Sequence, residues 1–343
     1  MKRLAMVCAG VVLVLIVAAG PDAAETRYRI VSSIKPGGEG GWDLVTVDAE
    51  ARRLYVGRST RTQVIDLKGG KLVAEIADTP GIHGVAIATD LGKGFTSNGR
   101  DSSVTVFDLK TSATLDRIHV GGQYPDAILY EPVSHRVFTM NAGSGTATAI
   151  DAASGRVVGT VVLGGRPEFA VADGRGSVFV NLEDSSAVIS FDATSLATGP
   201  RWSLAPGEEP SGLAMDREHR RLFSVCANGK MIVLDANSGR ELAVLPIGKR
   251  TDGAAFDPAT QLAFSSNGEG NLTVVHEDSP TRFRVVDNVT TRPGARTLAL
   301  DPKTHRIYTA TASFGEAPAP TAEQPRPRPP MLPESFVILV LER

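Results

Sequence analysis

The chain has 343 residues, 42% of them hydrophobic, enough to bury a substantial core, and length alone suggests two domains. Its 36 basic and 38 acidic residues leave a net charge of −2, which excludes the basic excess of a nucleic-acid-gripping protein and the balance of a disordered polyelectrolyte. Thirty-five glycines and 21 prolines imply many turns and short strands, and the two cysteines exclude a cysteine zinc site, an iron–sulfur cluster and C-x-x-C-H haem attachment.

The first element is an address. Lys2 and Arg3 precede an apolar run over 4–19, and small residues follow at Gly20, Ala23 and Ala24. This is the plan of a secretory signal, with residues 1–24 removed and the remainder periplasmic or secreted. The run is shorter than the roughly 20 residues of a bilayer span, and no later segment is long and apolar enough for one. Once the signal is gone, Cys226 is the sole cysteine, read as a packed thiol.

Tyr28–Ile34 reads as a strand, and a module of about 40 to 44 residues then recurs seven times. Each copy has a small-residue strand, a turn often opened by Asp, an aromatic-led strand, a valine-rich strand closing near Asp, and a fourth strand ending in Gly. Phe95-Thr96-Ser97-Asn98 is matched by Phe138-Thr139-Met140-Asn141 and Phe264-Ser265-Ser266-Asn267. Looser copies lead with Tyr55, Phe179, Phe223 and Tyr308, with Arg58, Leu182, Cys226 and Thr311 where the others place Asn.

Four short strands per repeat predict a propeller blade, so the two-domain prior gives way to one all-β ring. Over residues 27–343 the expectation is a seven-bladed β-propeller of four-stranded antiparallel blades. The seventh copy lacks a fourth strand, which Tyr28–Ile34 is expected to supply. The aromatic–Val/Thr–Thr/Ser–Asn motif resembles the YVTN-repeat propellers. That resemblance covers essentially the whole mature chain and implies a secreted or periplasmic protein, without an assigned chemistry.

In such a ring the first residue of each innermost strand stands at the channel mouth. That register selects Asp43, His83, Asp126, Glu168, Ser211, Asp252 and Arg296, spaced by 40, 43, 42, 43, 41 and 44 residues. Four carboxylates converging there repel unless a cation answers them. Three readings stand: a solvated channel mouth whose acids bind only water and each other, a polar binding site for a ligand or partner, or a metal site of His83, Asp126, Glu168 and Asp252 for Ca, Mg, Mn or Zn. Asn98, Asn141 and Asn267, at the ends of second strands, read either as a second tier of groups that hydrogen-bond a ligand or as turn residues that cap their own backbone, with Arg100, Glu183 and Glu269 in the adjoining loops. His135, His219 and His305 fall at one register, each just before Arg, and read as turn residues facing away from the mouth.

The last feature is a proline-rich insertion over 315–334, between the second and third strands of the seventh copy. Its prolines favour an extended chain and disfavour a sheet ladder, so a lid over the mouth is one expectation. No nucleophile elbow, Walker loop, H-E-x-x-H or dinucleotide fingerprint occurs. The function expected is a monomeric extracytoplasmic ligand- or protein-binding scaffold that takes a small molecule or protein partner at the channel face, with no nucleic acid. The alternative is a metal-dependent hydrolase or lyase of the lactonase-like propeller type.

Overall fold

The computed structural model describes residues 27–321, 327 and 329–343; the expected signal segment lies outside the described residues. Twenty-eight strands form seven separate four-stranded sheets, and one short 3-10 turn, Thr89–Leu91, is the helical element among the described residues. Blades 1 to 6 are consecutive meanders over 45–76, 82–119, 125–162, 167–203, 210–246 and 251–290. Blade 7 combines Leu298–Asp301, Arg306–Thr311 and Val337–Glu342 with the N-terminal strand Arg29–Ile34, which pairs antiparallel to Val337–Glu342. The ring is therefore fastened by pairing strands from the two ends of the described chain.

Alternation explains where the core sits. Second and third strands are buried on both faces, whereas fourth strands are mostly exposed, as in Lys71–Ile76 and Thr114–His119. The apolar side chains gather into seven clusters, one per blade interface. The repeat aromatic lies at the centre: Tyr55, Phe95, Phe138, Phe179, Phe223, Phe264 and Tyr308 are all buried. No helix among the described residues is long and apolar enough to cross a membrane.

The insertion departs from expectation. Its stem does make a ladder: Phe314 bridges Met331, Gly315 N–H donates to Pro330 O at 2.9 Å, and Leu332 N–H donates to Ser313 O at 2.9 Å. The ladder is possible because its donors, Gly315 and Leu332, are not prolines. The stem lies against Trp42, whose ring is 6.0 Å from Phe314 and 5.4 Å from Phe336.

The histidine register also needs correction. The residue before each second strand is left-handed at Arg52, Gly92, His135, Gly176, Arg220, Gln261 and His305. His135 and His305 share this position, but His219 stands one residue earlier, because Arg220 takes it.

Candidate functional site

Strand geometry aims the predicted ring residues. In blades 2 to 6 the pairing of first and second strands slips by a bulge across His83, Asp126, Glu168, Ser211 and Asp252. A bulge inserts an unpaired residue and re-aims its side chain. The freed backbone carbonyls are taken by neighbouring blades. His83 O accepts Leu44 N–H at 3.1 Å, Ser211 O accepts Asn181 Nδ2 at 2.9 Å, Asp252 O accepts Ser211 Oγ at 2.9 Å, and Arg296 O accepts Gly253 N–H at 2.8 Å. Asp43 O accepts Thr297 Oγ1 at 3.1 Å, and Asp126 O accepts the Ser97 hydroxyl. Six of the seven register positions are thus clamped to the blade before them in the ring.

The side chains divide into three groups. His83 Nδ1 lies 2.5 Å from Asp43 Oδ2 and 3.4 Å from Asp126 Oδ1, and ligating atoms of these three residues all stand within 4.8 Å of one another. Ser211 Oγ donates to Asp252 Oδ1 at 2.8 Å, and Arg296 Nε meets Asp252 Oδ2 at 3.0 Å. Arg166 stands between Glu168, at 3.6 Å, and Glu183, at 3.0 Å.

The metal set read from the sequence is therefore redrawn. His83 and Asp126 are together, joined by Asp43, whereas Glu168 and Asp252 are outside that cluster and hold partners of their own. The reason is angular: blades 1, 2 and 3 are neighbours, while blades 4 and 6 bring their acids in from other sides.

Electrostatics couples the groups across the channel. Burial pushes the Asp126 and Asp252 carboxyls up to about 6, with Asp43 adding to both, while His83 and Arg296 respectively oppose the rise. Glu168 is pushed up to about 9, by burial first and then by Asp126, Glu183 and Asp252. For His83, burial works against the charged form, but the hydrogen bond that its ring donates to Asp43 and the charges of Asp126, Asp43 and Asp252 outweigh it and raise its pKa. A mouth rich in acids, with one imidazole at its tightest point, suits a positively charged occupant.

The three asparagines belong elsewhere. Asn98, Asn141 and Asn267 are fully buried, and each carboxamide is committed to side chains of its own blade, hydroxyls throughout except for the Asn271 amide oxygen that Asn267 Nδ2 also reaches. Asn98 Oδ1 accepts Thr96 Oγ1, and its Nδ2 donates to Ser103 and Thr105; Asn141 and Asn267 repeat the pattern. Thr105 and Thr148 then donate to Asp78 O and Val120 O, fixing the loops that lead from the preceding blades into their own. The asparagines hold loops and are not ligand groups. Cys226 is fully buried, its thiol pushed up to about 12 by burial, consistent with a packed residue.

Sequence reasoning missed Tyr124 and Arg166. The Tyr124 ring is 4.9 Å from that of His83, on a left-handed residue, and Arg166 answers Glu168. Both stand two residues before a register position, so the signal was present as a second register beside the first.

No known family model matches the chain, and no curated protein matches it. Solved structures do. A chain of Kuenenia stuttgartiensis hydrazine synthase superposes with a TM-score of 0.67 at 18% identity, over 80% of this chain and 93% of that one. A chain in the crystal structure of a mitotic checkpoint complex superposes with a TM-score of 0.72 at 12% identity, over 100% of this chain and 99% of that one. At such identities the likeness establishes the fold alone: this is a seven-bladed β-propeller.

Proposed function

We propose that the protein is an extracytoplasmic binding module of the YVTN-repeat kind, whose acidic channel mouth takes a ligand carrying positive charge. The observation that carries this reading is that Asp43 and Asp126 both reach the same imidazole nitrogen of His83, at 2.5 and 3.4 Å. Two carboxylates crowded on one cation leave negative charge that a bound cation would answer. The signal-like segment over 1–24 supports an exported protein. Titration calorimetry of the purified protein with Ca²⁺, Mn²⁺ and spermidine tests it. Binding of at least one probe is expected, weakened about tenfold or more by Asp43→Asn or Asp126→Asn; binding unchanged in both variants overturns it.

A second reading, a metal-dependent hydrolase or lyase, is favoured by the mutual approach of donor atoms from Asp43, His83 and Asp126 within 4.8 Å. These three residues would hold the cation, which supplies Lewis acidity toward a carbonyl. Turnover of a lactone panel that depends on added Mn²⁺ or Zn²⁺ and is lost in Asp126→Asn would select this reading over simple binding.

A further inference from the structure

At the opposite end of the first strands, the repeats provide their own standard of comparison. In several blades an acid closes the first strand and is met by a base from the next blade. Asp301 meets Arg52, Asp173 meets Arg220 at 2.9 Å, and Asp257 meets His305 at 2.7 Å. The bases all occupy the left-handed position before a second strand. Asp216, the acid of blade 5, has no such base, because blade 6 places Gln261 there, and Gln261 Nε2 donates instead to Pro258 O at 2.7 Å.

What blade 6 brings is a second acid. Glu277 N–H donates to Gln261 O at 2.9 Å. The same bond is made in five other blades by Leu67, Leu109, Ala152, Ala193 and Ala236, every one a buried apolar residue. The fold therefore has no need of a carboxylate at this position. Glu277 is 3% exposed, and neither of its carboxylate oxygens has a hydrogen-bond partner among the described residues. A buried carboxylate left in that state is costly. Burial, and then the charge of Asp216, push its carboxyl up to about 7.

One imidazole stands between the two acids. His219 Nδ1 is 2.6 Å from Asp216 Oδ2 and 3.4 Å from Glu277 Oε1, and the single Nδ1 proton serves only Asp216. The other charge facing Glu277 is Arg221, whose guanidinium is committed to Pro280 O, Arg220 O and Asp235. We propose that Asp216, His219 and Glu277 form a divalent-cation site between blades 5 and 6, on the face away from the channel mouth, taking a Zn²⁺-type ion.

The donor set and spacing fit such an ion. Ligating atoms of all three residues stand within 4.8 Å of one another. Tetrahedral bonds of about 2.0–2.1 Å set neighbouring donors about 3.4 Å apart, the separation of His219 from Glu277. The Asp216–His219 contact would open from 2.6 Å as the ion replaces the imidazole proton. His219 is about a third exposed, which leaves an entry path and room for a water as fourth ligand.

The test silences the mouth first. Full-length protein carrying Asp43→Asn and Asp126→Asn is stripped with chelator and titrated with Zn²⁺, followed by calorimetry and by thermal unfolding. One ion per chain and an upward shift of Tm are expected. Glu277→Gln should weaken binding by more than the roughly 10–100-fold that loss of an outer-shell partner costs. Glu277→Leu, which installs the residue type of the sibling blades, should abolish binding and raise the ion-free Tm. Absence of Zn²⁺ binding in the parent, equal binding in Glu277→Gln, or a lower ion-free Tm in folded Glu277→Leu would each overturn the site.

Discussion

His83 Nδ1 lies 2.5 Å from Asp43 Oδ2, joining blade 1 to blade 2 at the channel mouth. The contact depends on Gly99, because a Cβ there would stand 2.7 Å from His83 Nε2 and 2.9 Å from Cδ2. Gly99→Ala must therefore move the imidazole, which is the free end of a side chain, while the blade backbone can stay. We expect folding stability to change by no more than about 1 kcal/mol, while affinity for Mn²⁺, which would use the imidazole as a ligand beside Asp43 and Asp126, falls as far as in His83→Ala. Calorimetry beside circular dichroism checks this, and undiminished affinity in a folded Gly99→Ala would show that the imidazole is not the seat.

The mouth acids set a pH dependence of definite sign. Asp126 and Asp252 rise from 3.8 to about 6, and Glu168 from 4.5 to about 9. The folded state thus holds protons that the unfolded chain has released. The associated stability is fully present below the unfolded values and is lost as pH rises, through about 6 for the two aspartates and about 9 for Glu168. The protein should resist urea better at about pH 5 than at about pH 8. Asp126→Asn should flatten this profile and add about 1–2 kcal/mol above pH ~6.5. Denaturation midpoints across the range decide it; a parent more stable at the alkaline end contradicts the burial argument.

The repeat made the ring legible, because seven aligned copies fix strand order, register and the closing strand. It could not say how side chains share partners. Asn98 reads as a ligand group or a cap of its own turn, yet the residues five and seven positions on, Ser103 and Thr105, are its partners. In hindsight that pairing is written in the copies: where Leu182 replaces Asn, Ala187 and Ile189 stand opposite and nearby. The split of the acids into separate clusters was not legible, since spacing along the chain gives the register and not the angle around the axis. Glu277 was hidden because its strand, Asn271–Ser279, runs on past the point where the other third strands stop.

The closing strand carries one anchor worth isolating. Tyr28 is 3% exposed, its ring meets Phe264 edge-on at 5.1 Å, and its hydroxyl donates to His305 O at 2.8 Å. It ties the N-terminal strand to both blade 6 and the first turn of blade 7. Tyr28→Ala should cost about 3 kcal/mol, as loss of a buried aromatic does, and Tyr28→Phe about 1 kcal/mol for the hydroxyl. Equilibrium unfolding in urea measures both, and a neutral Tyr28→Ala would mean that the ring closes without this strand.

The proline-rich insertion separates into a stem and a tip. Replacing 316–329 with a short Gly/Ser linker retains the Phe314–Met331 bridge, so Tm should move by only a degree or two, about 0.5 kcal/mol or less. Extending the replacement over 313–333 removes the ladder and uncovers Trp42, and should lower Tm clearly. Equal melting of the two variants would mean that the stem contributes nothing to blade 7.

Arg58 stands where three other blades place Asn, and it is fully buried, with no carboxylate of the described residues within ion-pair reach. Its guanidinium donates to Gly37 O, Gly38 O and Gly40 O and to Gln63 Oε1, at 2.8 to 3.2 Å, and its Cζ lies 3.8 Å above the Phe336 ring. Burial, then Arg61, lowers its pKa to about 10, so it remains charged at neutral pH. One planar fork therefore fixes the glycine-rich loop that links the closing strand to blade 1. Arg58→Leu leaves Gly38 O and Gly40 O without their guanidinium donors, with only Gln63 Nε2 still reaching Gly37 O, and should cost about 3 kcal/mol or more. Arg58→Lys should recover little, because an ammonium cannot span carbonyls arranged around a plane. Proteolysis is the local readout: cleavage within 35–41 should accelerate in both variants while the other blades stay protected. A Lys variant as resistant as the parent would show that charge alone, and not the fork, holds the loop.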